Sequence, residues 1–314
     1  MLLFGIVMPV AVIAKDAQEN ESFASAPEPI PIHEPQWFDE WHMNFEDAMN
    51  ITAQSIDSFF ALSGDSFYQE ATTSGRVRIG WEPRSRDFAE MDLRFRVRVR
   101  LPALENRVDL LLTDHEDDLQ ENSVKAARNN QLSRRDQATL ALRFRRSPDA
   151  KVSHRIGAGR RDQVFVKSSY LDHYDFNPDM AIFYDAEVYY YSRDRLGGEL
   201  GLSYQHLLSE HSLARLNNRY YYRDKTNDWR WRHEAQYLSQ VNDTSTYIYT
   251  LFVEGLSRPN MQTEQVFLSA RWRTNPTREW LFYEVEPFVL WLKEEDFKPS
   301  FGVALRLEVF YGKI

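Results

Sequence analysis

Residues 93 to 101 read LRFRVRVRL, an arginine at every second position with an apolar residue between each pair. Strict alternation is the period of a β-strand, so Leu93, Phe95, Val97, Val99 and Leu101 point to one side and Arg94, Arg96, Arg98 and Arg100 to the other. Two architectures tolerate a strand with such faces. One is a soluble antiparallel sheet with one face on a core, and the other is a barrel with lipid outside and a polar lumen inside.

The pattern recurs to the end of the chain. Segments with strand patterning, each followed by a turn signal, cover 76–81, 91–101, 107–113, 137–145, 152–160, 163–171, 181–191, 198–208, 213–223, 229–238, 246–255, 264–273, 280–292 and 300–312. That makes fourteen segments of about the ten-residue length of tilted membrane-crossing strands. The division at 152–171 is the least defined: one merger there gives thirteen and a C-terminus on the wrong side, and a second merger elsewhere gives twelve. Counted from a periplasmic N-terminus, PALEN, SPDAK, PDM, SEHS, NDTS and NPTRE are tight turns on one rim, while the other rim carries the long connection 114–136. Short turns on one rim and a long loop on the other is the outer-membrane pattern.

The two faces separate the soluble reading from the membrane one. Sets such as Val77/Ile79/Trp81, Leu200/Leu202/Tyr204 and Leu305/Leu307/Val309 are nearly free of charge, whereas the opposite faces hold Arg76, Arg78, Arg143, Arg145, Lys167, Arg219, Arg271 and Arg306 with Asp109, Asp185, Glu187, Glu234, Glu284, Glu286 and Glu308. Tyr and Trp gather near strand ends, at Trp81, Tyr220, Trp229, Trp272, Trp280 and Tyr311, as interfacial girdles require. These features favour lipid outside and charge inside. With 43% apolar residues in 314, the chain can bury a core, and zero cysteine excludes disulfides and thiolate metal sites.

Upstream of the strands the patterning changes. LLFGIVMPVAVIA at 2–14 is too short to span a bilayer as a helix and has the length of a signal-peptide core, with Val12-Ile13-Ala14 suited to cleavage, although no basic stretch precedes it. The expected organisation is a signal-like segment 1–14, an acidic Pro-containing linker 15–36, a helical periplasmic or plug segment 37–74, and a barrel over 75–314. Residues 15–75 hold twelve Asp/Glu and only Lys15 as a base, more than the net charge of −9.

The last strand carries a resemblance. SFGVALRL, with Ser300, Gly302, Leu305 and Leu307, resembles the C-terminal sorting signal of Gram-negative outer-membrane barrels, departing from it where Gly312-Lys313-Ile314 follow Tyr311. Together with IDSFFALSGDSFYQE, LPALENRVDLLL and REWLFYEVEP, it resembles an uncharacterised family of Gram-negative outer-membrane β-barrel proteins across most of the chain. The resemblance implies fold and location, and it carries no catalytic or ligand residues. It implies outer-membrane lipid, lipopolysaccharide and the barrel-assembly machinery as partners, and leaves the oligomeric state open.

For function, the alternation puts about twenty Lys/Arg and about ten Asp/Glu into the lumen. The expectation is a passive channel for small anionic or polar solutes, with Arg76, Arg78, Arg94, Arg96, Arg98, Arg100, Arg143 and Arg145 facing the conduit. The alternative is a non-conducting structural or binding barrel, plugged by its acidic N-terminal segment. The acidic residues Asp114, Glu116, Asp117, Asp118 and Glu121 lack the spacing of a calcium loop and read as a solvated surface loop. A third reading is a lipid acyl hydrolase or transferase built on His154, His206 or His233, with Ser168 or Ser203 nearby. No nucleophile motif, phosphate loop, cofactor signature or metal-binding spacing accompanies them, and the strict alternation argues against nucleic-acid binding.

Overall fold

A computed structural model describes residues 37–60, 72–88, 90–101, 107–113, 124, 127, 139–147, 149–159 and 163–312. The signal-like segment, the linker and the acidic residues of 114–121 lie outside the described residues.

Helix α1 (Trp37–Phe60) precedes fourteen strands: β1 (Thr72–Trp81), β2 (Met91–Arg100), β3 (Val108–Thr113), β4 (Thr139–Arg145), β5 (Val152–Gly159), β6 (Gln163–Asn177), β7 (Met180–Tyr191), β8 (Arg195–Ser209), β9 (Ser212–Arg223), β10 (Asp228–Asn242), β11 (Ser245–Leu256), β12 (Gln262–Thr274), β13 (Leu281–Leu292) and β14 (Ser300–Tyr311). Each strand pairs antiparallel with the next, and β1 pairs with β14 from Gly75↔Tyr311 to Trp81↔Leu305, which closes the sheet into an up-and-down barrel. Closure leaves no edge strand with unpaired backbone groups, a requirement in lipid. The stretch 152–171 holds two strands, so the count is fourteen.

The rim where β1 begins and β14 ends is called here the terminal rim, and the opposite one the far rim. At the terminal rim the seam needs Gly75: a Cβ there would lie 2.3 Å from the Arg96 carbonyl oxygen and 2.5 Å from Tyr311 Oη. The wall is uneven. β6, β8 and β10 have 15 residues each, about 50 Å of strand at 3.4 Å per residue, whereas β3 has 6 and β4 has 7. β3 is described as far as Thr113, which pairs with Arg96 of β2.

Alternation sorts the side chains as the sequence suggests. Leu93, Leu140, Val166, Leu200, Leu216, Leu251, Leu268 and Leu305 are exposed on the outside. Exposed aromatics border this belt at both ends: Trp81, Tyr190, Tyr220, Trp229 and Phe301 toward the far rim, and Tyr170, Tyr174, Tyr237, Tyr247, Trp272 and Tyr283 toward the terminal rim. A continuous apolar belt between two aromatic rows matches a bilayer's hydrocarbon core and interfaces. Inside, Arg78, Asp92, Arg94, Asp109, Arg232, Glu254, Glu284, Glu286, Arg306 and Glu308 are buried.

One inner region is apolar instead. Phe252, Phe267, Phe288, Leu290, Leu292 and Ala304 form a cluster with Val124 and Ala127 of the long connection, which are 0% and 2% exposed. Gln265 Nε2 donates to the Ala127 carbonyl at 2.7 Å. Val124 and Ala127 therefore seat on the inner face of the β11–β14 wall. A wall segment such as FVLWL (288–292) is apolar on both faces, and its inner face excludes water only when something covers it.

Helix α1 has its own place. Asp39, His42, Phe45 and Asn50 recur at helical spacing and share one side. Asp39 pairs with Arg278 in the β12–β13 turn (Nη2 to Oδ2, 2.8 Å), and the His42 ring stacks on Trp280 with its Nε2 2.8 Å from the Phe310 carbonyl oxygen. Phe45 meets Tyr311 edge-on, and Asn50 Oδ1 accepts from Thr73 Oγ1 and N. Thr73 and Tyr311 stand at outward positions of β1 and β14, continuing Val77/Ile79 and Leu305/Leu307. The helix thus lies along the terminal rim beside the seam. It does not run down the lumen as a plug would, because its sticky face finds its partners at the ends of β1, β13 and β14.

Candidate functional site

The lumen wall divides into two electrostatic halves. On β12–β14 and β1, opposite charges face each other across the ladder. Arg306, with no side-chain exposure, donates Nε to Glu82 at 2.8 Å and also contacts Glu284 and Glu286. Arg271 reaches Glu286 at 3.2 Å, and Arg273 bridges Glu284 at 2.5 Å and Glu308 at 2.6 Å, with Arg76 also on Glu308 at 3.3 Å. Four carboxylates and four arginines neutralise one another here. Desolvation offsets most of the attraction in such buried networks, so their main effect is to fix positions rather than to add stability.

The β2–β4 wall, with Arg78 of β1, is different. Asp109 Oδ2 receives Arg143 at 2.7 Å and Arg145 at 3.1 Å, and Arg98 lies 3.2 Å away. Asp92 Oδ2 lies 3.3 Å from Arg94 Nε and 3.8 Å from Arg78 Nη2, ion-pair contacts without a hydrogen bond. Seven arginines (Arg78, Arg94, Arg96, Arg98, Arg100, Arg143 and Arg145) therefore share this side of the lumen with Asp92 and Asp109. In the register Arg76 faces Arg96 and Arg78 faces Arg94 directly, a like-charge arrangement that destabilises unless anions balance it. Exposure falls along β2 from exposed Arg100 at the terminal rim, through Arg98 and Arg96, to buried Arg94.

Other inward charges on β5–β11 pair across the ladder, while Glu234 accepts a hydrogen bond from Asn217 Nδ2 at 3.0 Å. Glu254 holds Arg230 and Arg232, Glu187 holds Arg155 and Lys167, and Arg219 sits between Asp185 and Glu199. Asp109 was legible as an inward carboxylate from alternation. Asp92 and Glu254 were missed as counter-ions, although each sits two residues from an inward position on its own strand, which is the same parity signal.

The histidines do not assemble an acyl-transfer site. Ser203 is an inward position on β8 and His206 an outward one, so they lie on opposite faces. His154 and Ser168 are direct ladder neighbours on the outside, with Phe144 and Val188 as their other cross-strand partners. His233 Nδ1 lies 2.6 Å from Asn218 Oδ1, and their further ladder neighbours are Val253 and Leu202. Among the described residues, neither pair has a hydroxyl, an imidazole and an orienting group in one place.

No protein-family model matches the chain, and no curated protein matches it in sequence. Among solved structures the chain is similar to the outer membrane channel DcaP of Acinetobacter baumannii, at 7% identity over 77% of this chain and 97% of that one, with a TM-score of 0.46. It is also similar to OmpT of Vibrio cholerae, at 8% identity over 80% and 100% with a TM-score of 0.47, and to the KdgM porin, at 9% over 75% and 98% with a TM-score of 0.36. A closed fourteen-strand barrel with an apolar belt outside and charge inside decides the class. The chain is a membrane-type β-barrel of fourteen strands. In this barrel Ser300, Gly302, Leu305 and Leu307 lie on the strand that completes closure. Ser300 is buried, Gly302 abuts the Phe288 ring, and Leu305 and Leu307 occupy outward positions.

Proposed function

We propose that the protein is a passive channel for small anionic solutes, with the terminal rim in the periplasm and the β2–β4 arginine wall as the selectivity element. The observation that carries this reading is the graded row Arg100, Arg98, Arg96, Arg94 on one inner face, with Arg78 in register on β1 and Arg143 and Arg145 nearby on β4. Low-dielectric walls of one sign concentrate counter-ions, so such a wall raises the local anion concentration. The short connections at the terminal rim support the orientation, and the Ser300, Gly302, Leu305 and Leu307 pattern on the last strand supports engagement by assembly machinery. Contact with lipid and lipopolysaccharide follows from the exposed belt.

Conductance is expected to be small, because the half toward the far rim is tightly filled: Arg232, Glu254, Gln265, Val124 and Ala127 are all buried there. The same observation favours a second reading, a closed barrel stoppered by its own long connection rather than by α1. Single-channel recording separates the two. The channel reading expects anion-preferring current from the native chain, with a several-fold larger current when 114–136 is replaced by a two-residue turn. Silence from both proteins would leave only the closed barrel.

A further inference from the structure

Between its two aromatic rows the outer face of β8–β11 is apolar except at one ladder pair. Asn218 and His233 both occupy outward positions, stand directly opposite each other and are half-buried. Their other cross-strand neighbours are Leu202 and Val253, and Leu216 and Ala235 follow them toward the terminal rim. The imidazole Nδ1 lies 2.6 Å from Asn218 Oδ1. Among the described residues neither side chain has another hydrogen-bond partner.

The chemistry of the two groups defines what is left over. With the ring proton on Nδ1, the imidazole donates to Oδ1, so Nε2 remains an acceptor and Asn218 Nδ2 a donor. With the proton on Nε2 and the amide turned over, Nδ2 donates to Nδ1, so Nε2 remains a donor and Oδ1 an acceptor. In both arrangements the pair offers a donor and an acceptor beyond itself. Inside the belt each unmet group is costly, because hydrocarbon gives it no partner.

Depth narrows the partner. The next ladder pair toward the far rim is Tyr220 and Trp231, whose rings lie 6.0 Å and 5.3 Å from the His233 ring. Such aromatics sit at headgroup level. Two residues along a strand tilted by about 40° place the polar pair about 5 Å deeper, where headgroups join acyl chains. The ester carbonyls of a diacylglycerol lipid at that junction only accept, so they satisfy half of the pair. An amide or a hydroxyl both donates and accepts.

We propose that Asn218 and His233 form a lipid site on the outer wall, selective for a lipid that carries an amide or hydroxyl group at the junction of headgroup and chains. Exposed Leu202, Leu216 and Leu251 supply the surface for its chains. The site lies on the outer face, so it is independent of the channel reading.

The test uses the full chain in detergent micelles with an equal mixture of N-palmitoyl sphingomyelin and dipalmitoylphosphatidylcholine, the retained lipid being read by native mass spectrometry. Both lipids carry phosphocholine, and at the junction one has an amide and a hydroxyl where the other has two esters. The native chain should retain sphingomyelin in preference by about fivefold or more, and the combined Asn218→Leu, His233→Leu variant should show a ratio near one. Leucine suits a lipid-facing wall; if the combined variant does not assemble, Asn218→Leu alone carries the test. His233→Gln keeps a donor and an acceptor and should keep a preference for sphingomyelin. Equal retention by the native chain overturns the proposal, as does a preference undiminished in the leucine variants or wholly lost in His233→Gln. An oligomer of the native chain that the leucine variant breaks into monomers assigns the pair to a contact between copies and overturns the lipid site.

Discussion

Asp109 is the residue on which the arginine wall turns. Its carboxylate is buried and takes Arg98, Arg143 and Arg145 together, so Asp109→Asn leaves three guanidiniums around a neutral amide. Removing one partner of a buried charge cluster costs about 3–5 kcal/mol, and that loss is expected in unfolding measurements on the detergent-solubilised barrel. The same substitution should shift the reversal potential further toward anions. At the seam, Gly75→Val is expected to block closure, since a Cβ at that position meets the Arg96 carbonyl oxygen at 2.3 Å. Loss of the heat-modifiable folded band on a semi-native gel is the readout. Alternation made Asp109 legible in the sequence, because parity alone assigns its face. Which arginines gather on Asp109 was not legible, because Arg143 and Arg145 reach it through the β3–β4 register, which no local pattern announces.

Among the elements, the fourteen strands were the most legible part, since a period of two survives any detail of packing. Their ends were less so: β6 runs on to Asn177 and β8 begins at Arg195, where turn-forming residues stay paired within long hairpins. The long connection and α1 were harder still, because both are placed by tertiary partners. Val124→Asp puts a charge among Phe252, Phe267 and Phe288 and should unseat the connection, increasing the conductance of the native-length chain. Removing α1 (Trp37–Phe60) should leave conductance unchanged and lower thermal stability, because the helix contacts the rim through Asp39, His42, Phe45 and Asn50. A rise in current on removing α1 would contradict its placement along the rim.

At the scale of the whole molecule, the barrel is electrostatically lopsided. Among the described residues the β12–β14 wall pairs its arginines with carboxylates, the β2–β4 wall holds more arginines than carboxylates, and the chain as a whole has a net charge of −9. Net charge and the alternating pattern therefore predict opposite signs for the lumen. The account's central claim is that this excess selects anions, and the reversal potential across a potassium chloride gradient tests it most directly. The native barrel should reverse close to the chloride equilibrium potential, and the combined Arg96→Gln, Arg98→Gln, Arg100→Gln variant should move markedly toward zero. Reversal near the potassium potential, or a variant indistinguishable from the native barrel, would contradict the claim.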